Sequence, residues 1–503
     1  MARSTTDKAL FFGHPEAEKD GDLPSYFIPT HYAALVTEPA SSYVIISGRK
    51  GCGKTALFRQ YVPSPNVVVT RINPDSHTLP EPKAKLSASK LRRLFVLELL
   101  LESLRVFAAE SASKPTLKPL VLEAEQLTQG YAGRLGRVVH AVKDTAKRLA
   151  KGTIEEGVPT FFGVTLKMKD ADERDQLLEL TASSHTKEMR QLIRKIGEKG
   201  FSFLALIDDP DELCWDTNEL MPVLGGLCAA AVDVSSVSEI RDFFKVCVLV
   251  KQHHFDQLRR SLENFDHIAS NVLSLSWEKP ELESLIGQRV IHRLRLPTGT
   301  NMKDAWMSAF DPGTASLEVL QEYLNDRLTN GPRDLVVFCN KAMMCAQHRA
   351  ATRIEMRDIL AAEKEHSEDR LDEIEREFGD QYPSISAIVR RLFEHRDLKV
   401  AAKITRKKLE YALEHQALVD RMEVMRKEVP WFRDAVPAKL VRILFQVGVV
   451  GYFSPETAQK RIMNWSSISP VEGIDEAEDF FVPPAYHWAL RIGAQPRQKL
   501  KEK

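Results

Sequence analysis

The feature that most constrains this 503-residue sequence is a glycine-rich segment between an apolar run and a predicted helix. The segment is Gly48-Arg49-Lys50-Gly51-Cys52-Gly53-Lys54-Thr55, and it fits the phosphate-loop pattern G-x-x-x-x-G-K-[ST]. Residues 43–47 before it are rich in β-branched types and predict a buried strand. Residues 56–61 after it predict the start of a helix. Because a phosphate loop needs this strand–loop–helix context, the sequence predicts a P-loop nucleotide-binding core.

The residue types in this loop suit a nucleoside triphosphate. Glycines at three positions permit backbone conformations that a Cβ excludes, so successive N–H groups can form an anion cradle at a helix N-terminus. Lys54 is predicted to contact the β- and γ-phosphates, and the Thr55 hydroxyl to ligate Mg²⁺. We therefore predict ATP and Mg²⁺ as cofactors; the alternative is a glycine-rich turn that binds nothing. The predicted cofactor-binding residues are Gly48, Arg49, Lys50, Gly51, Cys52, Gly53, Lys54, Thr55 and Ala56.

A second chemical signal is an apolar run, 203–207, that ends in two acidic residues, Asp208 and Asp209. A buried strand of this kind delivers carboxylates from its C-terminal edge to a Mg²⁺ site. Asp208 is predicted to orient Mg²⁺, and Asp209 to polarise the attacking water as the catalytic acidic residue. Asp211 and Glu212 are less well placed by spacing. A strand that ends in an acidic turn is common, so the prediction depends on the phosphate loop upstream.

The order of strand and helix signals predicts an α/β fold with a five-stranded parallel sheet. A large helical insertion interrupts the core, and a helical lid follows it. Two strands, 449–453 and 480–482, are predicted to pair, and together with neighbouring helices they resemble a winged helix near the C-terminus. The predicted strands of the parallel sheet are 43–47, 66–72, 203–207, 244–250 and 271–277. The predicted divisions are an N-terminal segment with the first half of the core (1–85), the insertion (86–198), the second half of the core (199–297), the lid (298–383) and a winged-helix-like domain with a disordered tail (384–503).

Three polar features outside the two motifs leave alternatives open. The predicted helix 134–151 has a basic face, which fits either a solvated surface or a contact with nucleic acid or an acidic partner. Arg333 lies in the first turn of a predicted helix, where the dipole disfavours a cation. It therefore indicates either an anionic partner such as the γ-phosphate or a salt bridge to Asp334 or another acid. The His253-His254 pair suggests a metal site, but adjacent strand residues point to opposite faces and no cluster of partner ligands is visible in the sequence, so a loop is favoured for them.

Composition excludes some function classes. Lys+Arg and Asp+Glu both total 70, so no global field attracts nucleic acid or acidic membranes. The cysteines show no metal-binding spacing, and a disulfide at Cys52 would obstruct the loop, so reduced thiols are expected. The N-terminus lacks a signal-peptide core, and no apolar run is long enough to cross a bilayer. We expect a cytoplasmic protein without a membrane contact. The cysteines are Cys52, Cys214, Cys228, Cys247, Cys339 and Cys345.

Four features occur together in a known group: the phosphate loop, the Ile207-Asp208-Asp209 strand end, the Gly331-Pro332-Arg333-Asp334 helix start and the C-terminal winged-helix-like unit. In this combination the chain resembles bacterial P-loop ATPases related to AAA+ and STAND proteins, several of which occur in defence loci. The layout is similar to that of initiator-type AAA+ ATPases. The resemblance covers roughly 11–80 and 201–492, without the insertion.

This resemblance implies roles for individual residues. Lys54 and Thr55 resemble Walker A residues, Asp208 and Asp209 resemble Walker B residues, and Arg333 resembles a sensor-2 arginine. Lys251 stands where such relatives tend to have an arginine, so the sensor-1 role is in doubt. No arginine finger is evident, so hydrolysis is expected to be slow or to be completed by a neighbouring subunit.

Three functions compete at this stage. The leading hypothesis is an ATP-dependent switch in which ATP closes the lid through Arg333 and alters an oligomer or protein-partner surface, in a bacterial defence role. The alternative is a nucleic-acid-binding ATPase that uses the winged helix and the basic helix. A metabolic kinase is disfavoured because nothing resembles a small-substrate pocket.

Overall fold

A computed structural model describes most of the chain, and it contains two compact units. One unit comprises Pro29–Arg49 and Lys54–Leu275; the other comprises the chain up to Ile28, the loop residues Lys50–Gly53 and the chain from Ser276 onward. The structure describes residues 10–30, 32, 35–36, 38, 41–72, 88–140, 183–213, 217–261, 266–329, 331–395, 398, 403–433, 435–453, 463–464 and 474–493. The finer predicted domain boundaries remain predictions.

The first unit contains the predicted five-stranded parallel sheet. Its strands lie in the order β2-β3-β4-β1-β5, and every neighbouring pair is parallel. Continuous apolar runs form the inner strands because both faces of the sheet are covered; the first seven residues of β4 are all buried. The predicted fold class is confirmed. The bounds are β1 Ile45–Gly48, β2 Val67–Ile72, β3 Ser202–Ile207, β4 Phe244–Lys251 and β5 Val272–Ser274.

Helices cover this sheet, and two of them cross closely at Gly226. A Cβ at this position would lie 2.7 Å from the Cβ of Leu91, so only glycine permits the contact. Leu104 and Phe107, on the same helix as Leu91, are fully buried in the core that results. The helices of this unit are Lys54–Gln60, Ala88–Ser111, Lys118–His140, Ser183–Gly197, Thr217–Ser236, Gln252–Ser261 and Asp266–Ala269, with short 3₁₀ helices at Pro115–Leu117 and Pro210–Leu213.

Three predictions for this part of the chain are not confirmed: two lie partly or wholly outside the described residues, and one is wrong. The predicted helix 134–151 coincides with Lys118–His140 only in its first residues, and the rest of it lies outside the described residues. Residues 160–166, whose sequence predicts a short strand within the insertion, also lie outside the described residues. The loop prediction for His253 and His254 is wrong, because both lie in the first turn of the helix Gln252–Ser261. Lys251, which precedes this helix, is not a capping type, so no residue marked the helix start.

The second unit begins with an N-terminal segment that packs on the helical lid. The backbone N–H of Phe12 donates to Asn340 Oδ1 at 2.9 Å, and Arg289 Nη1 donates to the Phe12 carbonyl and to Asp20. Phe12 also packs in the apolar core of the lid, where Trp306 is buried. The helices here are Leu23–Tyr26, Lys279–Leu294, Met302–Ala309, Leu317–Asn325, Pro332–His348 and Met356–Phe378, with two short parallel strands, β6 Phe310–Asp311 and β7 Ile354–Glu355.

The long charged helix begins later than the sequence predicts. The sequence Thr352-Arg353-Ile354-Glu355 fits a capping box and predicts a helix start at Thr352, but the helix is Met356–Phe378, with Glu355 at the N-cap. The Glu355 backbone N–H donates to Asp358 Oδ2 at 2.8 Å, and Glu355 accepts in return from the N–H of Asp358. The pair of strands β6 and β7 takes Ile354 and Glu355 into extended backbone and so delays the helix.

The C-terminal part of this unit joins helices to a small antiparallel sheet of order β10-β9-β11-β8. The two predicted strands pair with each other, with Tyr452 opposite Phe480, which confirms that expectation. Strands β8 and β10 were not predicted, because each contains a single apolar residue and so shows no apolar run or alternation. The strands are β8 Lys403–Thr405, β9 Gly451–Phe453, β10 Met463–Asn464 and β11 Asp479–Phe481. The helices are Ile385–Leu392, Arg406–Glu414, Gln416–Glu428, Pro430–Arg433 and Pro437–Gln446, with a 3₁₀ helix at Pro484–Tyr486; the predicted disordered tail lies outside the described residues.

A buried histidine in the lid predicts a pH dependence of stability. His366 is fully buried, stacks on Phe338 at 4.3 Å between ring centroids and lies 3.3 Å from the Arg327 carbonyl. Burial, with the positive charges of Arg370 and Lys341, lowers the pKa of His366 from 6.5 to about 4. Because the unfolded chain binds the proton more tightly, this contribution to stability is present above pH 6.5 and is lost as the pH falls toward 4.

We therefore expect His366→Phe to be less sensitive to acid than the wild type. The free energy of unfolding that is lost between pH 7.5 and pH 5 should be about 2 kcal/mol smaller in the variant than in the wild type. Urea unfolding of both proteins at the two pH values measures the difference. An equal loss in both proteins would show that His366 is protonated at no cost in the folded state.

No helix among the described residues is both long enough and apolar enough to cross a membrane.

Candidate functional site

The phosphate-loop sequence forms the predicted turn between strand β1, which ends at Gly48, and the helix Lys54–Gln60. Gly51 has φ +84° and Gly53 has φ +99°, in the left-handed region that L side chains rarely adopt. The two glycines therefore allow a backbone course that other residues would strain.

Lys54 is held at the beginning of the loop. Its side chain is buried, and Nζ donates to the Gly48 carbonyl at 2.7 Å and to the Arg49 carbonyl at 2.9 Å. The two backbone carbonyls therefore hold the ammonium at the beginning of the loop, where its positive charge favours a phosphate. Among the other predicted cofactor-binding residues, Arg49 and Cys52 are buried, while Lys50, Thr55 and Ala56 are half-buried.

Asp208 lies directly after strand β3 and contacts Thr55. Its carboxylate accepts a hydrogen bond from the Thr55 hydroxyl, and Oδ1 accepts from the Asp209 backbone N–H at 3.1 Å. Burial, followed by the negative charge of Asp209, raises the pKa of Asp208 to about 7. The other carboxylate oxygen, Oδ2, is buried and has no hydrogen-bond partner among the described residues.

These contacts fit a magnesium ion. Mg²⁺ takes hard oxygen ligands and is usually bound by one or two protein groups together with phosphate oxygens and waters. The Thr55 hydroxyl and the Asp208 carboxylate are oxygen ligands in direct contact with each other. A dication would also stabilise the ionised form of the Asp208 carboxylate, which burial disfavours. The two residues that the sequence assigned to the metal are therefore brought together.

Asp209 has an unusual backbone and a partly exposed side chain. Its φ of +44° is uncommon for a residue other than glycine, and 29% of its side chain is exposed. Such conformations persist only where the surrounding structure holds them in place, and they cluster at functional sites. The carboxylate lies 3.9 Å from Lys251 Nζ, at the end of strand β4. The arrangement leaves the Asp209 side chain accessible beside Asp208.

Asp211 is committed to an ion pair. Lys251 Nζ lies 2.5 Å from its Oδ2, and His254 Nε2 lies 3.6 Å from the same atom. Although burial opposes ionisation, hydrogen bonds from His254 and Lys251 hold the pKa of Asp211 well below its usual range. The side chain of Glu212 lies outside the described residues. Lys251, where the sequence left the sensor-1 role in doubt, therefore organises the acidic residues after β3.

Arg333 lies next to the phosphate loop within the second unit. It is in the first turn of the helix Pro332–His348, as predicted, and its backbone N–H donates to the Gly51 carbonyl at 3.3 Å. A Cβ added to Gly51 would lie 2.9 Å from the Cβ of Arg333. Asp334 pairs with Arg370 instead, and Arg333 makes no salt bridge within the described part of the chain. The salt-bridge alternative is therefore wrong for Asp334.

Trp277 is a loop contact that sequence reasoning missed. Its indole Nε1 donates to the Cys52 carbonyl at 2.7 Å. The ring also lies 3.5 Å from the position that a Cβ on Gly53 would occupy. The sequence placed Trp277 at the end of the fifth strand, but that strand stops at Ser274. The only signal was an aromatic residue three positions before a helix-opening proline, which does not specify a contact.

The sheet order and the loop together define the fold of a P-loop nucleoside triphosphatase. Comparison with known proteins adds distant similarities. Residues 280–375 match the family described as the FunZ-associated C-terminal helical domain. The chain is 20% identical over 509 residues to the putative transposon gamma-delta 80.3 kDa protein of Escherichia coli (strain K12), covering 98% of this chain and 68% of that protein.

Solved structures of ORC and ORC2 proteins are similar at low identity. The Aeropyrum pernix ORC2 protein in its ADPNP–ADP complexes is 12% identical, with a TM-score of 0.38 and coverage of 90% of this chain and 93% of that one. The ADP form of that protein is 13% identical, with a TM-score of 0.33 and coverage of 88% and 90%. Drosophila ORC bound to DNA is 11% identical, with a TM-score of 0.28 and coverage of 92% and 84%. None of these similarities identifies the function of this chain.

Proposed function

We propose that this protein is a Mg²⁺-dependent ATPase whose nucleotide cycle acts as a molecular switch. The observation that carries the proposal is the hydrogen bond between the Thr55 hydroxyl and buried Asp208, at the end of a phosphate loop that also holds Lys54. A glycine-rich turn without a ligand has no need to bury an incompletely bonded carboxylate.

Each residue has a proposed role in phosphoryl transfer to water. The loop amides and Lys54 bind the β- and γ-phosphates, and Thr55 and Asp208 hold Mg²⁺. Mg²⁺, when bound, neutralises charge on the β- and γ-phosphate oxygens. Asp209 accepts a hydrogen bond from the attacking water and orients it toward the γ-phosphate. Arg333 acts on the γ-phosphate from the helix start beside Gly51.

Phosphate release from ATP by the purified full-length chain tests this function. We expect turnover that requires Mg²⁺ and stops in excess EDTA. Since no arginine finger is evident, the rate should rise with protein concentration if a second copy completes the site. ATP that stays intact with Mg²⁺ at every protein concentration would contradict the ATPase assignment.

Arg333→Ala should weaken the binding of ATP more than the binding of ADP. Only ATP presents a γ-phosphate, so loss of the guanidinium should weaken ATP binding about tenfold more than ADP binding. Competition titrations of both nucleotides against a fluorescent analogue measure the two affinities. Arg349→Ala is a matched control, because Arg349 lies in the same unit and pairs with Asp358. Equal losses for ATP and ADP, or none, would assign Arg333 a structural role only.

The switch proposal rests on contacts that lead away from Arg333 within its own unit. Its neighbour Asp334 pairs with Arg370 on the long helix Met356–Phe378, and Arg370 also pairs with Glu373. On the same helix, Ser367 Oγ accepts the backbone N–H of Ala489 at 3.0 Å. Movement of the helix start at Arg333 would thus reach the C-terminal part through one rigid element.

The partner of this switch is proposed to be a protein or a second copy of the chain. A winged-helix-like C-terminal unit would allow nucleic-acid binding instead, but its charges argue against that. Arg442, on the helix Pro437–Gln446, pairs with Asp475, so one of the two cations on this helix is already neutralised. Lys439 alone gives little attraction for a phosphate backbone.

A DNA titration of the full-length protein separates these alternatives. At low salt we expect that charge reversal at Lys439 or Arg442 does not change the binding of duplex DNA. Fluorescence anisotropy with a labelled duplex measures it, with Lys439→Glu and Arg442→Glu as the variants. Micromolar binding with a steep salt dependence, removed by either variant, would favour the nucleic-acid-binding ATPase.

A further inference from the structure

Two N–H groups from residues C-terminal to strand β5 donate hydrogen bonds to successive carbonyls of the phosphate loop. The Arg333 backbone N–H donates to the Gly51 carbonyl at 3.3 Å, and the Trp277 indole N–H donates to the Cys52 carbonyl at 2.7 Å. All of these residues belong to the same compact unit. The second bond is the shorter one, and it comes from a side chain that the proposed chemistry does not use.

A held carbonyl fixes the direction of the next N–H. The peptide bond is planar and trans, so the carbonyl of one residue and the N–H of the next point in opposite directions. Among the described residues no peptide bond is cis. Holding the Cys52 carbonyl toward Trp277 therefore turns the Gly53 N–H to the opposite side. Gly53 needs this external restraint, because glycine has the widest backbone freedom of any residue.

The packing around the indole is as specific as its hydrogen bond. The ring lies between two glycines: Cζ2 is 3.5 Å from a Cβ placed on Gly53, and Cδ1 is 3.6 Å from one placed on Gly331. Both glycines have positive φ, and Gly331 is the N-cap of the helix that carries Arg333. The indole thus contacts the loop and the start of that helix with one rigid side chain.

We propose that Trp277 is a positioning residue for the phosphate loop. Its N–H holds the Cys52–Gly53 peptide so that the Gly53 amide faces the phosphates of a bound nucleoside diphosphate or triphosphate. The inference rests on the proposed function, since it assumes that the loop binds phosphate. Trp277 would then increase the affinity for nucleotide by positioning the loop amide, and it would take no part in the chemical step.

Trp277→Phe tests the role by keeping an aromatic ring and removing the donor. We expect the Kd values of ADP and ATP to rise together by about tenfold, because the loop amides bind phosphates that both nucleotides carry. This common rise distinguishes Trp277 from Arg333, whose loss should affect ATP more. Replacement of Trp277 by 3-benzothienylalanine, which has sulfur in place of N–H in a ring of the same shape, should give the same rise without a change in packing.

Trp306→Phe is the matched control. Trp306 lies in the same unit, and its Nε1 donates to the Glu283 carbonyl at 2.8 Å. This variant should lower Tm through the loss of a buried indole but leave both affinities unchanged. The inference is overturned if the wild type and both Trp277 variants bind ADP equally, or if Trp306→Phe weakens binding as much. A wild-type protein that binds neither nucleotide would overturn the proposed function, and the inference with it.

Discussion

Replacing Lys54 by alanine is expected to lower ATP affinity by at least about 100-fold, because the variant loses a buried cation at the phosphate loop. Lys54 Nζ is held against the Gly48 and Arg49 carbonyls, so its charge is already placed before any phosphate arrives. Isothermal titration with ATP in excess Mg²⁺ measures the loss.

Lys245→Met is the control for the removal of a buried ammonium as such. Lys245 Nζ donates to three backbone carbonyls in the same unit, those of Leu35, Glu38 and Ser41, at 2.9 to 3.2 Å. This variant should lower Tm and still bind ATP. If Lys54→Ala binds ATP as tightly as the wild type, the loop is not a phosphate site.

The second large effect is expected for Asp209→Asn. The variant should bind ATP with nearly wild-type affinity, because Asp208 and Thr55 still form the proposed metal subsite. Phosphate release should fall by about 10²- to 10⁴-fold, since a neutral amide polarises the attacking water much less than the negatively charged carboxylate does. Single-turnover hydrolysis with a saturating excess of protein separates this chemical step from product release.

Asp233→Asn is its control, because Asp233 is a carboxylate of the same unit that pairs with Arg92 on the outer helices. It should hydrolyse ATP at the wild-type rate. Wild-type turnover by Asp209→Asn would show that Asp209 is misassigned. Asp211 would then be a poor replacement, because Lys251 and His254 already bind its carboxylate.

The parallel sheet could be predicted from the sequence because two of its strands, β3 and β4, contain five-residue apolar runs, 203–207 and 246–250, that end at a charged residue. The phosphate loop could be predicted for a similar reason: glycine, lysine and threonine at fixed spacing encode a local backbone course. The position of Asp208 could be predicted as well, because a residue at the C-terminal end of a buried strand must lie at one edge of the sheet.

Contacts between distant parts of the chain could not be predicted in this way. Trp277 reaches a loop more than two hundred positions earlier, and its pattern fits the end of a strand as well as a loop contact. The pairing of Asp211 with Lys251 likewise depends on the order of strands, in which β3 lies beside β4. The late start of the helix Met356–Phe378 depends on β6, which lies more than forty residues upstream.

Metal-dependent binding of ATP tests most directly whether Thr55 and Asp208 form the metal subsite of an ATP site. Isothermal titration of the full-length wild type with ATP, in Mg²⁺ and then in EDTA, should show saturable binding that weakens at least about tenfold without the metal. Asp208→Asn should bind ATP equally in both buffers. Equal affinity of the wild type with and without Mg²⁺, or no saturable binding of ATP, would contradict the account.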